Sequence, residues 1–305
     1  MLYLIEQSLN GIQLGMLLFL LAAGLTLIFG IMDLVNLAHG SLYMLGAYFA
    51  ATLIEVTDSF VLGIALGIVA TLVAGMVMEM IAIRPLYGRD HLDHVLGTFG
   101  LLIFFNELVR LIWGPAGLTI SLPPEMLTAV QVLPGVFYPL YRLVIILSTL
   151  AVGLLLYVLV MRTRIGMLIR AGASNREMVG ALGVNIKLLY TLVFGLGAAL
   201  AGFAGMIQAP LAFVQIGMGE NILILAFVVI IIGGIGSIRG AFVAAVLVGL
   251  IDTMGRAFLP DLVRAFLSYS AGSSAGPALS SMLIYALMAA VLVFRPEGLF
   301  PASNK

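Results

Sequence analysis

A short polar sequence interrupts two apolar runs near the N-terminus of this chain. The run LGMLLFLLAAGLTLIFGIM, which begins at Leu14, is followed by DLVNLAHGS and then by LYMLGAYFAA. The side chains of Asp33, Asn36, His39 and Ser41 therefore lie between two segments suited to lipid. Polar groups at such a depth are costly unless they face protein or a water-filled cavity. The pattern predicts a broken membrane helix, and convergent polar groups at such a break are typical of a translocation path.

Composition places the whole chain in the membrane. The 305 residues are 63% hydrophobic and only 9% charged, whereas soluble domains carry about a quarter charged residues. The formal net charge is zero, which gives no indication of a nucleic-acid partner, and the absence of cysteine excludes disulfides and thiolate metal sites. We therefore expect an all-α integral membrane protein that forms a single transmembrane domain over residues 1–305.

Nine segments approach the length of about 20 mostly apolar residues that a spanning helix needs. We expect broken helices near residues 30–41 and 232–240, and segment 219–258 is either two spans or a re-entrant hairpin. The nine predicted spans cover residues 9–29, 37–54, 62–83, 96–113, 142–161, 187–208, 219–232, 241–258 and 278–294.

The distribution of Lys and Arg predicts the orientation of these spans, because positively charged loops stay in the cytoplasm. The loop 162–187 carries four arginines and one lysine, so we place it inside. The loop 114–141 carries neither residue and contains five of the eleven prolines, which predicts a stiff periplasmic cap. The result is an N-out, C-in chain, with Arg256 and Arg264 as exceptions to the rule.

The chain lacks a nucleotide site of the P-loop kind. That motif needs Gly-x-x-x-x-Gly-Lys-Ser/Thr, and the two lysines, Lys187 and Lys305, do not occur in such a sequence. Transport would therefore be driven by a partner that hydrolyses ATP or by an ion gradient, or it would be passive.

A short helix is predicted within the loop 162–187. Ser174 and Glu177 fit a capping box with Ser174 at the N-cap, Asn175 begins the helix, and Gly183 can take the left-handed conformation that ends it. Met178, Val179 and Leu182 then form one apolar face. We call residues 174–183 the coupling segment. The face either packs on its own membrane domain or docks into a cytoplasmic ATPase.

Several blocks of the chain resemble one transporter family. GIQLGMLLFLLAAGLTLIFGIMDLVNLAHGSLYMLGAYFA resembles the first block of the LivH-type permeases, and RTRIGMLIRAGASNREMVGALGVNIKLLYTLVFGLGAALAGFAG resembles their coupling loop. VVIIIGGIGSIRGAFVAAVLVGL and FRPEGLF are similar to the last two blocks. The resemblance runs from about Ser8 to Phe300.

The resemblance implies a subunit of an ABC importer for branched-chain amino acids or related solutes, such as other amino acids, amides or urea. It implies a LivM-like second permease, two cytoplasmic ATPase subunits that bind ATP and Mg²⁺, and a periplasmic solute-binding protein, assembled at the bacterial inner membrane. The coupling segment would contact the ATPase, and this chain would hold no cofactor and perform no catalysis.

The polar break, residues 33–41, is the candidate translocation path. Its candidate residues are Asp33, Asn36, His39, Gly40 and Ser41. The alternative is that Asn36 and His39 only satisfy backbone groups at a kink. A metal site at His39 is not expected, because no second ligand lies at a suitable spacing.

Two other classes of protein compete with an importer subunit. An ion-coupled carrier would act alone through Asp33 or His39. An intramembrane enzyme is disfavoured, because no nucleophile–base pair or metal-ligand cluster is evident within the spans. The other ionisable residues within the predicted spans fall into short-range pairs, Glu107 with Arg110, Asp252 with Arg256, and Glu79 near Arg84.

Overall fold

A computed structural model describes residues 2–266 and 269–300 of the chain. These residues are mainly helical, which confirms the all-α membrane class. The described helices are α1 Leu2–Met32, α2 His39–Thr57, α3 Phe60–Met78, α4 His91–Trp113, α5 Leu140–Arg162, α6 Arg164–Ser174, α7 Arg176–Ala181, α8 Ile186–Gln208, α9 Met218–Gly233, α10 Ile238–Phe266 and α11 Tyr269–Phe294.

Six of the described helical segments are long and apolar enough to cross a membrane. They cover Leu2–Met32, Phe60–Leu86, His91–Trp113, Leu140–Arg162, Ile186–Leu211 and Ile238–Arg264. Helix α9 and the segment Ala278–Phe294 are apolar but shorter, and α2 begins with the polar triplet His39-Gly40-Ser41. The predicted count of nine spans is therefore not confirmed, and both alternatives for residues 219–258 stay open.

Both predicted helix breaks are present. Helix α1 ends at Met32 and α2 begins at His39, and Asp33 takes a left-handed conformation with φ of 52° between them. Helix α9 ends at Gly233 and α10 begins at Ile238. Gly234 and Gly236 have φ of 102° and 81°, a region that glycine enters without steric cost.

The loop 114–141, which the sequence predicts to be a periplasmic cap, contains regular structure that was not predicted. After a 3₁₀ turn at Pro124–Leu127, strands β1 (Ala129–Leu133) and β2 (Val136–Pro139) pair in antiparallel register. The chain reverses at Gly135, whose φ is 83°. Two short helical segments elsewhere, the π turn Glu79–Ile83 and the 3₁₀ turn Arg84–Leu86, continue directly from α3.

The described chain divides into two compact units. The first contains residues 2–19, 124–150 and 226–300, apart from 267 and 268. Within it, α10 packs along α11, and Gly11, Gly15 and Gly249 bring α1 and α10 into backbone contact. The hydroxyl of Tyr138 donates to Asn10 Oδ1 at 3.0 Å and so attaches the hairpin to α1.

The second unit contains residues 20–123 and 151–225. Its centre is formed by α2, α3 and α8, which pack closely through small residues. A Cβ atom at Gly46 would collide with the backbone of Gly202, and one at Gly75 would collide with Ala198. The recurring small residues of α8 therefore pack inside this unit, as small-xxx-small patterns in membrane helices commonly do.

Candidate functional site

The polar break is built by the end of α1 and the start of α2. Helix α1 closes with a bond from the Asp33 amide to the Phe29 carbonyl, 2.9 Å. The chain then runs irregularly until His39, where α2 begins after Ala38. No described side chain caps this helix N-terminus, although the Leu37 amide donates to Thr98 Oγ1 of α4 at 3.1 Å.

The structure separates Asp33 from the other four candidate residues. Asp33 is exposed, whereas Asn36, His39, Gly40 and Ser41 are buried. The four buried residues lie together within the first turn of α2 or just before it. Only Asp33 is positioned to meet solvent in this conformation.

The buried polar side chains differ in how well they are satisfied. His39 Nε2 lies 3.2 Å from the Leu21 carbonyl, and because a carbonyl oxygen only accepts, Nε2 carries the proton. Among the described residues, no partner bonds the His39 Nδ1, the Ser41 hydroxyl or either amide atom of Asn36. Buried polar atoms without partners are rare and often mark functional sites.

This pattern bears on the kink-repair alternative. His39 does satisfy a backbone carbonyl, of Leu21 in the middle of α1. Within the break itself, the Leu37 amide donates to Thr98 and not to Asn36. Asn36 and Ser41 therefore make no side-chain repair to the kink within the described part of the chain.

Gly40 has a steric role at the same place. Its carbonyl lies directly against Gly219 in the first turn of α9, and a Cβ on either residue would collide with the other backbone. The Gly217 amide also points to the Met44 sulfur, 3.4 Å away. The starts of α2 and α9 are therefore in close contact.

Several further buried polar groups in this unit were not predicted from the sequence, and two of them belong to the helices on either side of the break. Thr26 Oγ1 and the Tyr48 hydroxyl lie in α1 and α2, and no described residue bonds to them. Each is an isolated polar residue in an apolar run, and that is the only signal by which the sequence could have identified it.

In the coupling segment, the predicted start of the short helix is wrong and its predicted end is confirmed. Ser174 is the last residue of α6, so the predicted capping box is wrong. Asn175 is the N-cap of α7, because its backbone is extended and its Oδ1 accepts from the Met178 amide at 2.9 Å. Gly183 ends the segment with φ of 87°, as predicted.

The bonds after α7 form a Schellman motif. The Gly183 amide donates to Gly180 O at 3.0 Å, and the Val184 amide donates to Val179 O at 3.3 Å. These bonds connect the short helix to the turn before α8, and a helix of six residues needs such support because it is marginal by itself.

The predicted apolar face of α7 is divided. Val179 is buried, with 6% of its surface exposed, whereas Met178 and Leu182 are 59% and 77% exposed. Glu177 is also exposed. Val179 thus holds the helix to its own chain, and Met178 and Leu182 are free to contact something else.

These features define a class: a multi-pass α-helical membrane protein with interrupted helices and an exposed amphipathic turn between two of its spans. A sequence-family profile narrows this class, because the profile described as the permease component of branched-chain amino acid transport systems matches residues 7–292. The chain belongs to this permease family, and it is a LivH-type permease.

Characterised relatives match over nearly the whole chain. The high-affinity branched-chain amino acid transport system permease protein BraD of Pseudomonas aeruginosa is 29% identical and covers 97% of this chain and 95% of its own length. LivH of Escherichia coli K12 is 28% identical, over 88% and 91%. The probable LivH of Methanocaldococcus jannaschii is 26% identical, over 93% and 88%. No solved structure shows significant similarity.

Proposed function

We propose that this chain is the membrane-spanning permease subunit of an ATP-driven importer that carries branched-chain amino acids or related small polar solutes across the bacterial inner membrane. The observation that carries the proposal is the exposed pair Met178 and Leu182 on a short helix in an Arg-rich loop. Such a surface would let an importer subunit receive work from an ATPase that is a separate chain.

Within the importer, this chain would contact four kinds of partner. Two cytoplasmic ATPase subunits would bind ATP and Mg²⁺, and one would dock on the coupling segment. A LivM-like permease would complete the membrane pair, a periplasmic binding protein would deliver solute, and lipid would surround the apolar spans. The names of BraD and LivH support branched-chain amino acids as the first solutes to test.

The polar break would form part of the translocation path. Asn36 and Ser41 offer a buried amide and hydroxyl without described partners, which can accept or donate to a zwitterionic solute when the path opens. The close contact of Gly40 with Gly219 would then belong to the closed state of the path. Asp33 would meet the solute on the exposed side of the break.

Reconstitution separates this proposal from an ion-coupled carrier. The chain is co-expressed with a second permease and the ATPase subunits, purified in mild detergent, and placed in vesicles with leucine and the binding protein. We expect leucine uptake that requires hydrolysable ATP and the binding protein, and vesicles with a non-hydrolysable analogue serve as the control. Accumulation by this chain alone, driven by a proton or cation gradient, would overturn the proposal.

A further inference from the structure

A buried carboxylate stands at the end of α3 and has no role in the path described above. The Glu79 side chain is 0% exposed and begins the π turn Glu79–Ile83. π turns within helices are frequent at functional positions. A buried ion is costly unless its oxygen atoms are fully paired, so the partners of Glu79 indicate what the residue does.

Three elements converge on this carboxylate. Arg84 Nη2 and Nε donate to it at 3.0 and 3.2 Å, and the Tyr87 hydroxyl donates to Oε1. From α8, Thr191 Oγ1 donates to Oε2 at 2.6 Å and accepts from Arg84 Nη2 at 2.7 Å. We call Glu79, Arg84, Tyr87 and Thr191 the inner cluster.

The inner cluster also reaches the polar break through Tyr190. The rings of Tyr87 and Tyr190 meet edge to face, with centroids 5.0 Å apart. The Tyr190 hydroxyl donates to the Ile31 carbonyl at 3.4 Å, two residues before Asp33. The first turns of α8 therefore contact both α3 and the end of α1.

The first turns of α8 are also joined to the coupling segment. Asn185 caps α8 by accepting from the Leu188 amide at 3.1 Å, and the Schellman bond of Val184 fixes Asn185 close to α7. Gly172 of α6 leaves room for Leu189 and Ile31 beside it. The start of α8 is therefore directly connected to α7.

We propose that the inner cluster is a positioning link that transmits displacement of the coupling segment to the polar break. The inference rests on the proposed function, because it needs an ATPase that moves α7. Thr191 of α8 bonds to both Glu79 and Arg84 and so holds α8 against the end of α3, while the bonds from Arg84 and Tyr87 fix the carboxylate that Thr191 meets. Held in this way, α8 moves as a lever and pulls the end of α1 through Tyr190. Without the cluster, α8 would lose its fixed position against α3, and less of the displacement of α7 would reach α1.

The test compares hydrolysis with transport in the full reconstituted complex. Glu79→Gln removes the ion pair, and Thr191→Val removes only the contact from α8. We expect either variant to assemble and hydrolyse ATP while leucine imported per ATP hydrolysed falls about fivefold or more, the range of typical coupling energies. Thr191→Ser keeps the hydroxyl and should restore the wild-type ratio. Asp252→Asn is the matched control, because Asp252 is a 7% exposed carboxylate paired with Arg256 on α10.

A second measurement separates a link from a simple structural anchor. The chain has no cysteine, so Asp33→Cys provides one maleimide target in the break. We expect a non-hydrolysable ATP analogue to change its labelling rate in the otherwise wild-type complex, but not when Thr191→Val is added.

Four outcomes have distinct consequences. The link would be overturned if Thr191→Val kept the wild-type ratio of leucine imported to ATP hydrolysed and the wild-type change in labelling at position 33. It would also be overturned if Asp252→Asn lowered that ratio as much as Thr191→Val does. If Glu79→Gln fails to assemble, Thr191→Val still decides, because it leaves the pair of Glu79 and Arg84 intact. Failure of the wild-type complex to import leucine with ATP would instead overturn the proposed function together with the link.

Discussion

At the scale of single residues, Asn36 is the side chain that packing explains least. It is 0% exposed, and its two amide atoms bond to no described residue. Leaving a buried polar group unpaired costs about 1–3 kcal/mol. Selection tolerates such a cost where the group is needed for function, and active residues of this kind are commonly destabilising.

Asn36→Leu should therefore separate stability from transport. We expect the melting midpoint of the purified complex to stay constant or rise, because an unpaired amide is replaced by an apolar group of similar size. Leucine uptake should fall at the same time. Thr98→Val is the contrasting control, since it removes a real acceptor from the Leu37 amide and should lower stability by about 1 kcal/mol. A loss of stability in Asn36→Leu would contradict a path role.

Asp33→Asn removes the exposed charge of the break without changing its shape. We expect lower leucine uptake with normal assembly, because the carboxylate no longer attracts a positively charged group of the solute. Uptake is measured in vesicles and assembly by co-purification. Glu107→Gln, which removes an exposed carboxylate paired with Arg110 on α4, serves for comparison. Wild-type uptake in Asp33→Asn would remove this residue from the path.

At the scale of elements, the coupling segment shows how a very short helix is held. Six residues are too few to form a stable helix in water. Helix α7 persists because Asn175 caps its start, a Schellman motif closes its end and Val179 is buried beneath it. The exposed side is then left to Met178 and Leu182.

The identity of the cap gives a direct comparison between neighbouring residues. Asn175→Ala removes the acceptor for the Met178 amide and should destabilise α7 by about 1 kcal/mol. Ser174→Ala should have little effect, because Ser174 belongs to the last turn of α6. Hydrogen exchange of the Met178 amide in the two variants measures the difference. Faster exchange of the Met178 amide in Ser174→Ala than in Asn175→Ala would instead support Ser174 as the N-cap.

The exposed face of α7 should carry the ATPase contact. Met178→Glu or Leu182→Asp places a charge at a position that is already exposed, so the chain should stay folded while the ATPase subunits no longer co-purify. Leu127→Asp makes a similar change at a 68% exposed residue of the periplasmic cap and should leave co-purification unchanged. Normal co-purification of the two α7 variants would exclude the docking role.

At the scale of the whole molecule, loops predicted to share a side of the membrane do meet. Residues 118 and 214 belong to two loops without Lys or Arg, and their backbones form a bridge with bonds of 2.8 and 3.0 Å. Trp113 Nε1 donates to Thr52 Oγ1 at 2.7 Å, near the same predicted outer side. These contacts agree with the charge-based orientation, which stays a prediction.

Single cysteines test that orientation, because the chain has none of its own. We expect Leu127→Cys to react with a membrane-impermeant maleimide added to intact spheroplasts. Arg176→Cys should react only after the membrane is opened. If Arg176→Cys reacted in intact spheroplasts and Leu127→Cys did not, the predicted N-out, C-in orientation would be wrong.

The sequence by itself determined the membrane class, the family and the places where the helices break. Apolar length, the polar residues between Met32 and Leu42 and the glycines at 233–236 are local properties, and local chain chemistry decides whether a helix can continue. The same holds for Gly183, whose left-handed conformation follows from the missing Cβ.

Only the tertiary structure decided which polar groups are paired. Asn36 and His39 are similar in sequence context, yet His39 finds the Leu21 carbonyl and Asn36 finds no described partner. Glu79 was expected to meet Arg84, but the contacts from Thr191 lie more than a hundred residues away in the chain. The N-cap of α7 is Asn175 and not Ser174, because Ser174 is still the last residue of α6. Pairing, burial and helix ends at such positions depend on packing between distant segments, and a single sequence carries no direct record of that packing.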